Sequence, residues 1–549
     1  MDFDAVLIAP RRAASVAAGL WHDRTINDYF DASVARSPDG AALTSLQVES
    51  GAIRRFTWRQ LDAVVARIAV GLSRLGIARN DVVSCQLPNG WEVTTLYLAC
   101  ARIGAVLNPL MPIFRERELA FMLAHAGSKV VVVPRRFRGF DHAAMLEGLR
   151  ASLPELRHVV VTGSDGADGF EAMLCGTDRE EDPDARAILT RHRPGPDDVT
   201  QLIYTSGTTG EPKGVMHTAN TLLSNILPYA ERLHLGAGDV VLMASPMAHQ
   251  TGFMYGLMMP VVLGAQAVLQ DIWDPVQAAR LIREAGVTFT MGSTPFLTDL
   301  ASTVAQGEPV SSLRTFLCAG APIPGALVER ARAALGASIV SAWGMTENGA
   351  VTTTLPDDEE TRASTTDGVP LPGVEVKVVD GLDAALPAGE IGRLLVRACS
   401  NFGGYLKRSR LNATDAEGWF DTGDLARIDA QGYVRIAGRS KDVIIRGGEN
   451  IPVVEIETLL YRHPAVSQVA IVAYPDERLG ERACAVVVPR EGQAFDKQAM
   501  VDFLKAQKVA LQYIPERLLV CDALPATPSG KVQKFKLREM LKEPTIEGQ

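Results

Sequence analysis

The stretch Tyr204-Thr-Ser-Gly-Thr-Thr-Gly-Glu-Pro-Lys-Gly214 carries four Ser/Thr hydroxyls, three glycines and one lysine within eleven positions. Glycine lets a backbone turn sharply and approach a ligand closely. Exposed N–H groups, hydroxyls and an ammonium together bind phosphate oxygens. A Walker A loop has Gly-Lys-Ser/Thr at the start of a helix, whereas here Lys213 precedes Gly214 and the strand-like run Val215–His217. The stretch predicts a phosphate-binding loop of the hairpin type, and an ordinary Gly/Thr turn is the alternative.

Length, composition and charge restrict the class of protein. A chain of 549 residues exceeds what one hydrophobic core usually supports, so we expect two or more domains. Hydrophobic residues make up 47% and charged residues 22%, as in a soluble globular protein. The net charge of −9 argues against a general nucleic-acid surface. The seven cysteines have no Cys-x-x-Cys spacing, which favours reduced thiols in a cytoplasmic protein.

One long uncharged segment raises the question of a membrane span. No formal charge occurs between Asp239 and Asp271 when His249 is neutral, which is long enough to cross a bilayer. Proline, glycine and polar residues interrupt it, and polar groups in lipid need partners. We therefore predict a buried helix and strand, and no membrane span. The first residues are acidic and lack a long apolar run, so we expect no targeting segment.

Strand-like and helical segments alternate along most of the chain, which predicts an α/β architecture of layered sheets and helices. The predicted helices are Leu61–Leu75 and Trp91–Ile103, and the predicted strands are Val82–Leu87, Val130–Val133, Val159–Val161, Val240–Ala244, Ala267–Leu269 and Phe316–Ala319. The charge-rich region 135–196 is less periodic, and we expect Asp178–Asp184 to be a surface excursion.

The pattern changes near Asp421. A turn at Asp429–Gly432 predicts a hairpin. The tail of about 110 residues is long enough for a small α+β domain. Its predicted elements are a helix from Pro452, strands at Val466–Val472, Ala483–Val488 and Arg517–Val520, a helix over Val501–Lys508 and a closing helix after Val532.

Three further motifs contain residues suited to nucleotide chemistry. Ser341–Glu347 combines an aromatic ring that can stack on a base with a hydroxyl and a carboxylate that can bind phosphate and Mg²⁺. Asp421-Thr-Gly-Asp424 could present carboxylates to ribose hydroxyls, and an ordinary Asp/Gly turn is the alternative. Pro525–Lys531 places one lysine on a loop with two prolines, where a solvated lysine is the ordinary case.

Together these residues resemble the adenylate-forming superfamily, which includes acyl-CoA synthetases, firefly luciferase and peptide-synthetase adenylation domains. The resemblance covers nearly the whole chain, and seven motifs follow the family's order: Thr205–Gly214, Pro246–Phe253, Ala319–Pro322, Trp343–Glu347, Asp421–Asp424, Gly438–Asn450 and Pro525–Lys531. It implies a large N-terminal domain of several subdomains over residues 1–438. It also implies a small, mobile C-terminal α+β domain over 439–549, which carries the lysine loop.

The resemblance also implies an AMP-forming acyl-CoA synthetase. The substrate carboxylate would attack the α-phosphorus of ATP, and the acyl-adenylate would then react with coenzyme A. Lys531, Thr346, Glu347 and His249 would be catalytic, with Glu347 holding Mg²⁺. The implied contacts to ATP and AMP are Thr205, Ser206, Gly207, Thr208, Thr209, Gly210, Lys213, Ala319, Gly320, Ala321, Trp343, Gly344, Asp424 and Arg439. Lys441 matches the hinge, and Gly447 and Gly448 match the loop that lines the coenzyme tunnel.

The identity of the acid depends on the pocket residues that the resemblance implies: His249, Gln250, Thr251, Phe253, Thr294, Ala319, Ala342, Gly344 and Gly349. Amino-acid-activating relatives carry an aspartate near His249, but here the neighbour is Gln250, which disfavours an ammonium group. We expect an uncharged alicyclic, aromatic or short-to-medium aliphatic acid. The segment Met243–Pro275 resembles bacterial cyclohexanecarboxylate–CoA ligases in particular.

Three other functions remain open at this point: loading of a carrier protein in trans, a luciferase-like monooxygenase and a non-catalytic nucleotide-binding protein. The last is disfavoured because Lys531 and Glu347 are both present. The expected partners are a small carboxylic acid, ATP and coenzyme A, with no nucleic acid. Apolar faces of the large domain would permit a homodimer.

Overall fold

Helices and strands alternate through most of the chain, as the pattern predicts. The computed structural model describes residues 3–541, apart from 177–183, 192, 206–211, 321–322, 360, 441–442, 447–448, 477 and 528–529. The described α-helices are α1 (Ala9–Ala17), α2 (Ile26–Arg36), α3 (Trp58–Arg74), α4 (Trp91–Ile103), α5 (Glu116–Ala126), α6 (His142–Leu149), α7 (Phe170–Leu174), α8 (Ala185–Arg191), α9 (Ala219–Arg232), α10 (Met259–Leu263), α11 (Pro275–Ala285), α12 (Thr294–Ala305), α13 (Gly325–Leu335), α14 (Arg362–Thr365), α15 (Val453–Leu460), α16 (Lys497–Ala506) and α17 (Lys534–Met540).

Nine of the described strands form the largest sheet, whose six central strands are parallel and whose edges are antiparallel. Its strands are β1 (Ala41–Leu46), β2 (Ile53–Thr57), β11 (Val240–Met243), β12 (Gln266–Gln270), β13 (Phe289–Gly292), β14 (Thr315–Ala319), β15 (Ser338–Met345), β16 (Gly349–Thr353) and β17 (Val369–Pro370). The spatial order is β17-β16-β15-β14-β13-β11-β12-β1-β2. Ligands of open parallel sheets bind beyond the carboxyl ends of the strands.

Seven described strands form the second sheet, in the order β20-β10-β9-β4-β3-β5-β8. They are β3 (Val82–Cys85), β4 (Val106–Pro109), β5 (Ser128–Pro134), β8 (His158–Thr162), β9 (Val199–Thr205), β10 (Lys213–Thr218) and β20 (Gly404–Tyr405). Strands β9 and β10 pair antiparallel, so Thr205 lies opposite Lys213. The predicted hairpin is therefore present, while its connecting residues 206–211 lie outside the described part of the chain.

The main hydrophobic core lies between these two sheets. Helices α3, α4 and α9 and a π-helix (Thr251–Met258) contribute buried residues to one cluster, together with the inner faces of both sheets. Successive valines of β5 alternate between this cluster and one on the outer face of the second sheet, as the two-residue period of a strand requires. Helices α11, α12 and α13 cover the outer face of the first sheet.

The remaining described strands form smaller sheets. Strands β18 (Val374–Val379), β19 (Gly392–Ala398), β21 (Phe420–Ile428) and β22 (Val434–Arg439) form an antiparallel sheet that includes the predicted hairpin. Strands β6 (Arg136–Phe137) and β7 (Phe140–Asp141) pair with each other. The tail contains β23 (Ile444–Arg446), β24 (Glu449–Ile451), β25 (Val466–Asp476), β26 (Gly480–Pro489) and β27 (Arg517–Val520), with hydrophobic clusters of its own.

The predicted α/β class with a smaller α+β tail is confirmed, and the differences lie mainly at element boundaries. Helix α16 begins at Lys497 rather than Val501, because the side chain of Asp496 caps it by accepting from the Ala499 N–H. The region 135–196 contains the predicted strand as β8, and also β6, β7 and α6 to α8, which its weak periodicity did not reveal. The excursion predicted at Asp178–Asp184 lies almost entirely outside the described residues. The exact domain boundary at residue 438 stays a prediction.

The uncharged segment 239–271 folds as predicted, into buried strands and helices. Strand β11 leads into the π-helix, α10 and β12. Two glycines permit close packing, because a Cβ on Gly252 would overlap the Pro246 carbonyl and one on Gly256 would overlap the Met243 side chain. Among the described helices, none has both the length and the apolar character that crossing a bilayer requires.

Candidate active site

Several predicted pocket residues meet at the carboxyl ends of three parallel strands. Gly292 of β13 is in register with Cys318 of β14, and Ala319 of β14 with Ala342 of β15. Thr294 begins α12 two residues after β13 ends. The sheet therefore brings Thr294, Ala319 and Ala342 to one edge, where ligands of parallel sheets bind.

His249 lies in the turn that follows β11, which runs parallel to β13 and therefore ends at the same edge of the sheet. Asn89 holds the turn, since its side-chain amide donates to the Ser245 carbonyl at 2.9 Å and accepts from the Met247 N–H at 2.8 Å. The His249 Nδ1 accepts from the Thr251 N–H at 3.3 Å, which leaves the imidazole proton on Nε2. Burial and the charge of Lys531 lower the pKa of His249 to about 4, so the ring is neutral near pH 7.

Gln250 makes a reciprocal pair with a residue that the sequence analysis did not select. Gln201 Nε2 donates to Gln250 Oε1 at 3.0 Å, and Gln250 Nε2 donates to Gln201 Oε1 at 3.2 Å. Both side chains are buried. Each amide uses one donor and one acceptor of the other, so this wall of the site is polar but uncharged. Phe253, on the same helix, is fully buried and packs edge to face against Tyr97 at 4.7 Å.

Tyr405 joins two of the predicted ATP-site residues. The Lys213 ammonium donates to the Tyr405 hydroxyl at 2.9 Å and lies 4.0 Å from the centre of its ring. The same hydroxyl donates to Glu347 Oε1 at 2.6 Å. Tyr405 reaches this place because β20 pairs with β10, with Val215 opposite Tyr405. No local pattern around Tyr405 points to that role, so sequence reasoning missed it.

The segment that carries Thr346 and Glu347 is held by a buried histidine. His217 Nε2 donates to the Thr346 carbonyl at 2.8 Å, and Asn348 Oδ1 accepts from the Met345 N–H at 3.1 Å. Burial lowers the pKa of His217 to about 4, so it too is neutral near pH 7. These contacts fix the backbone of a segment whose hydroxyl and carboxylate are predicted to contact phosphate and metal.

The carboxylate of Glu347 has the chemistry of a magnesium ligand. Glu347 is 5% exposed, and its carboxylate, which shares the Tyr405 hydroxyl with Lys213, supplies the oxygen ligands that Mg²⁺ prefers. Within the described ranges, no cluster of three or more His, Cys, Asp or Glu side chains could hold a metal alone. A single carboxylate supplemented by substrate phosphates is a usual arrangement for Mg²⁺.

The predicted ribose residues form a connected group. Asp424 and Arg439 lie opposite each other on β21 and β22 and form an ion pair with Nε–Oδ1 of 2.9 Å. Trp343 Nε1 donates to Asp424 Oδ2 at 3.0 Å. Burial raises the pKa of Asp424 above its ordinary value, although Arg439 and Lys531 both act to lower it. Gly344, next to Trp343 in β15, and Gly320, directly after β14, are both exposed.

The loop of Lys531 lies against the first sheet. Gly530 is so near that a Cβ on it would overlap Ser293 Oγ, one residue beyond β13. Lys531 is exposed, and its charge acts on both His249 and Asp424. The fold thus brings a lysine from the tail to the edge that carries the other predicted residues. Nine predicted residues lie outside the described part of the chain: Ser206, Gly207, Thr208, Thr209, Gly210, Ala321, Lys441, Gly447 and Gly448.

Comparison with known proteins identifies the family of this chain. The AMP-binding enzyme family matches residues 30–406, and the AMP-binding enzyme C-terminal domain matches residues 455–531. The chain belongs to the AMP-binding enzyme family. The predicted membership of the adenylate-forming superfamily, in its acyl-CoA synthetase branch, is confirmed.

Relatives within the AMP-binding enzymes cover almost the whole chain. The medium-chain fatty-acid–CoA ligase of Escherichia coli K12 is 37% identical over 96% of this chain and 92% of its own length. A salicylyl-CoA synthase / salicylate adenylyltransferase of a Streptomyces species is 34% identical over 96% and 95%. The crystal structure of ATP-bound MatB from Rhodopseudomonas palustris is similar with a TM-score of 0.83, 28% identity and coverage of 95% and 99%.

Proposed function

We propose that this AMP-binding enzyme is a carboxylic acid–CoA ligase that works through an acyl-adenylate. The position of the Lys531 loop carries the proposal, because it places an ammonium near His249 and Asp424. A carboxylate is a poor electrophile near pH 7 and needs a leaving group before a thiol can attack it. In the first step a carboxylate oxygen attacks the α-phosphorus of ATP and pyrophosphate leaves. In the second, the thiolate of coenzyme A attacks the acyl carbon and AMP leaves.

The residues take roles that follow from their chemistry. Lys531 stabilises negative charge where the acid meets the α-phosphate. Lys213 and the hydroxyls of the 205–209 loop bind the departing phosphates. Asp424 and Arg439 orient the ribose, and Trp343 lies beside the adenine. Glu347 would hold Mg²⁺, which neutralises charge on phosphate oxygens when bound.

The second step needs room for the thin pantetheine arm of coenzyme A. We propose that Gly447 and Gly448 line its path, because glycine has no side chain to block it. We also propose Lys441 as the hinge about which the tail, beginning at residue 439, moves between the two steps. All three residues lie outside the described ranges, so these roles rest on the family's motif order.

The neutral walls of the site favour an acid with an uncharged body. The Gln201–Gln250 pair offers no carboxylate to balance a substrate ammonium, and burial of an unpaired charge is costly. The relatives named above act on a medium-chain fatty acid and on salicylate. We propose an alicyclic, aromatic or short-to-medium aliphatic acid, with cyclohexanecarboxylate as the first to test.

A panel of carboxylic acids tests this function directly. Each acid is incubated with ATP and Mg²⁺, with and without coenzyme A, and both AMP and acyl-CoA are measured. We expect acyl-CoA and AMP in equal amounts when coenzyme A is present. AMP release at the same rate with and without coenzyme A, with no acyl-CoA formed, would contradict the ligase function and favour loading of a carrier protein.

We further propose that the enzyme is cytoplasmic and forms a homodimer. Cell fractionation tests the first proposal, and light scattering tests the second.

A further inference from the structure

Four buried side chains form a continuous layer behind the predicted acyl-binding residues. We call Asn225, Tyr229, Tyr255 and Met291 the Tyr255 layer. All four are at most 4% exposed. They come from α9, the π-helix and β13, so three separate elements contribute to one surface.

Two observations place this layer at the inner end of the acyl site. In a π-helix the backbone hydrogen bonds join residues five apart, so Tyr255 lies about one turn beyond Thr251 and the N-cap residue Gln250. The Tyr255 hydroxyl also accepts from the Ala350 N–H at 2.8 Å, next to Gly349. Gly349 has φ +68° and a Cβ there would lie 2.9 Å from Asn225 Cγ. Two adjacent positions of β16, Gly349 of the predicted pocket and Ala350 beside it, therefore lie against the layer.

Hydrogen bonds make the layer rigid. The Tyr255 hydroxyl donates to Asn225 Oδ1 at 2.6 Å. The Asn225 Nδ2 donates to the carbonyls of Asn348 and Ala350 at 3.2 and 2.7 Å. A ring held by a donor and an acceptor cannot swing aside without leaving buried polar groups unpaired, which is energetically unfavourable.

Tyr229 closes the layer by packing rather than by strong hydrogen bonds. Its ring stacks on that of Tyr255 with centroids 4.2 Å apart and planes 27° apart. Its hydroxyl donates to the sulfur of Met291 at 3.3 Å, which is a weak hydrogen bond because thioethers are weak acceptors. Stacked rings leave no channel between them for an alkyl chain, so the ring of Tyr229 is the removable part of the barrier.

We infer that the Tyr255 layer ends the acyl pocket and restricts this enzyme to compact acids of about one six-membered ring. The inference rests on the proposed ligase function and narrows its substrate class. Benzoate and cyclohexanecarboxylate fit in front of the layer, whereas the chain of decanoate extends into the position of the Tyr255 and Tyr229 rings.

Chain-length selectivity tests the inference. The kcat/KM for acyl-CoA formation is measured with cyclohexanecarboxylate, benzoate and decanoate for the wild type, Tyr229→Ala, Tyr229→Leu and Tyr229→Phe. We expect the wild type to prefer a ring acid. Tyr229→Ala or Tyr229→Leu should raise the decanoate-to-ring ratio by about tenfold or more, since methylene groups in an apolar pocket discriminate on that scale. Tyr229→Phe keeps the ring and should keep the wild-type ratio.

Phe30→Ala provides the matched control. Phe30 is equally buried and packs on Trp58 at 6.2 Å, away from the pocket. It should lower the melting temperature without changing the ratio. The inference is overturned if the wild type favours decanoate, or if the folded Tyr229→Ala and Tyr229→Leu variants both retain the wild-type ratio. Failure of every acid to release AMP would instead contradict the proposed ligase function.

Discussion

At the level of single residues, uncharged side chains position several groups of the candidate site. His217 and His249 are neutral near pH 7 because burial lowers the pKa of each to about 4. The Tyr405 hydroxyl links the Lys213 ammonium to the Glu347 carboxylate. We expect this link to align the proposed phosphate-binding lysine and the proposed metal-binding carboxylate before ATP binds.

Removing the Tyr405 hydroxyl tests that expectation. Hydrogen bonds to charged groups contribute about 1.5–3 kcal/mol, so Tyr405→Phe should lower kcat/KM for acyl-adenylate formation roughly 10- to 100-fold. It should also raise the Mg²⁺ concentration needed for half-maximal rate. Pyrophosphate release at varied Mg²⁺ measures both. Tyr433→Phe is the control, because its hydroxyl donates to Asp358 at 2.7 Å outside the site. Equal effects of the two substitutions would refute the role of Tyr405.

A second residue-scale prediction concerns pH and stability. His142 is fully buried, its Nδ1 donates to Gln86 Oε1 at 2.9 Å, and its Nε2 has no partner among the described residues. Burial lowers the pKa of His142 from 6.5 to about 4. Between these values the unfolded chain binds more protons than the native one, so stability falls as pH falls through this window. Below about pH 4 both states are protonated and the loss is complete.

His142→Asn retains a donor near the Nδ1 position but cannot titrate. We expect the melting temperature of the wild type to fall more than that of His142→Asn between pH 7.5 and 5, corresponding to about 2 kcal/mol for one such imidazole. Differential scanning calorimetry at both pH values checks this. His22→Asn, at an exposed histidine, should behave like the wild type. Parallel curves for the wild type and His142→Asn would contradict the prediction.

Among the secondary-structure elements, many strands and helices of the N-terminal region could be predicted, because the spacing of apolar residues within each segment is visible in the sequence. Helix α4 spans Trp91–Ile103 as predicted, since Gly104 ends it with φ +72°. The weakly periodic helices α7 and α8 could not be predicted, because each is short and their stability comes from packing against α3 and α4. The prolines and glycine of the Lys531 loop indicate a turn in the sequence. Its contact with Ser293 could not be predicted, because Ser293 is far away in the chain.

A single methyl group can test how closely that loop must dock. Gly530 has φ +80°, and a Cβ there would overlap Ser293 Oγ and approach Pro295. Gly530→Ala should therefore lower the rate of acyl-adenylate formation by more than about 30-fold, which exceeds what 1–2 kcal/mol of backbone strain alone could cause. Thioester formation from supplied acyl-adenylate should change little. Stopped-flow or quenched assays of each half-reaction measure the two rates.

Gly492→Ala is the matched control for this loop. Gly492 has φ +72° in the same tail, and a Cβ on it would meet nothing within 4 Å. It carries the same backbone strain without a clash, so both half-reactions should proceed at the wild-type rate. An equal loss in the two variants would show that strain, rather than docking, limits the reaction.

At the scale of the whole molecule, the tail supplies one lysine to a site built by the rest of the chain. Lys531→Ala should abolish acyl-adenylate formation, because the charge that develops between acid and α-phosphate loses its counter-ion. The same variant should largely keep thioester formation from supplied acyl-adenylate. Comparison of the two half-reactions checks this, with Lys536→Ala as an exposed control. Equal loss in both half-reactions would contradict the proposed movement of the tail.

The class of the fold and the residue types of the candidate site could be predicted from local patterns in the sequence. The loop from Tyr204 to Gly214, the carboxylate of Glu347 and the lysine loop each show their residue types within a few positions, and strand and helix periods are equally local. Three contacts could be seen only in the folded chain. Tyr405 bridges Lys213 and Glu347, Gln201 hydrogen-bonds with Gln250, and Tyr229 stacks on Tyr255. These partners come from distant strands and helices, and their contacts depend on sheet order and layer packing, which no local pattern encodes.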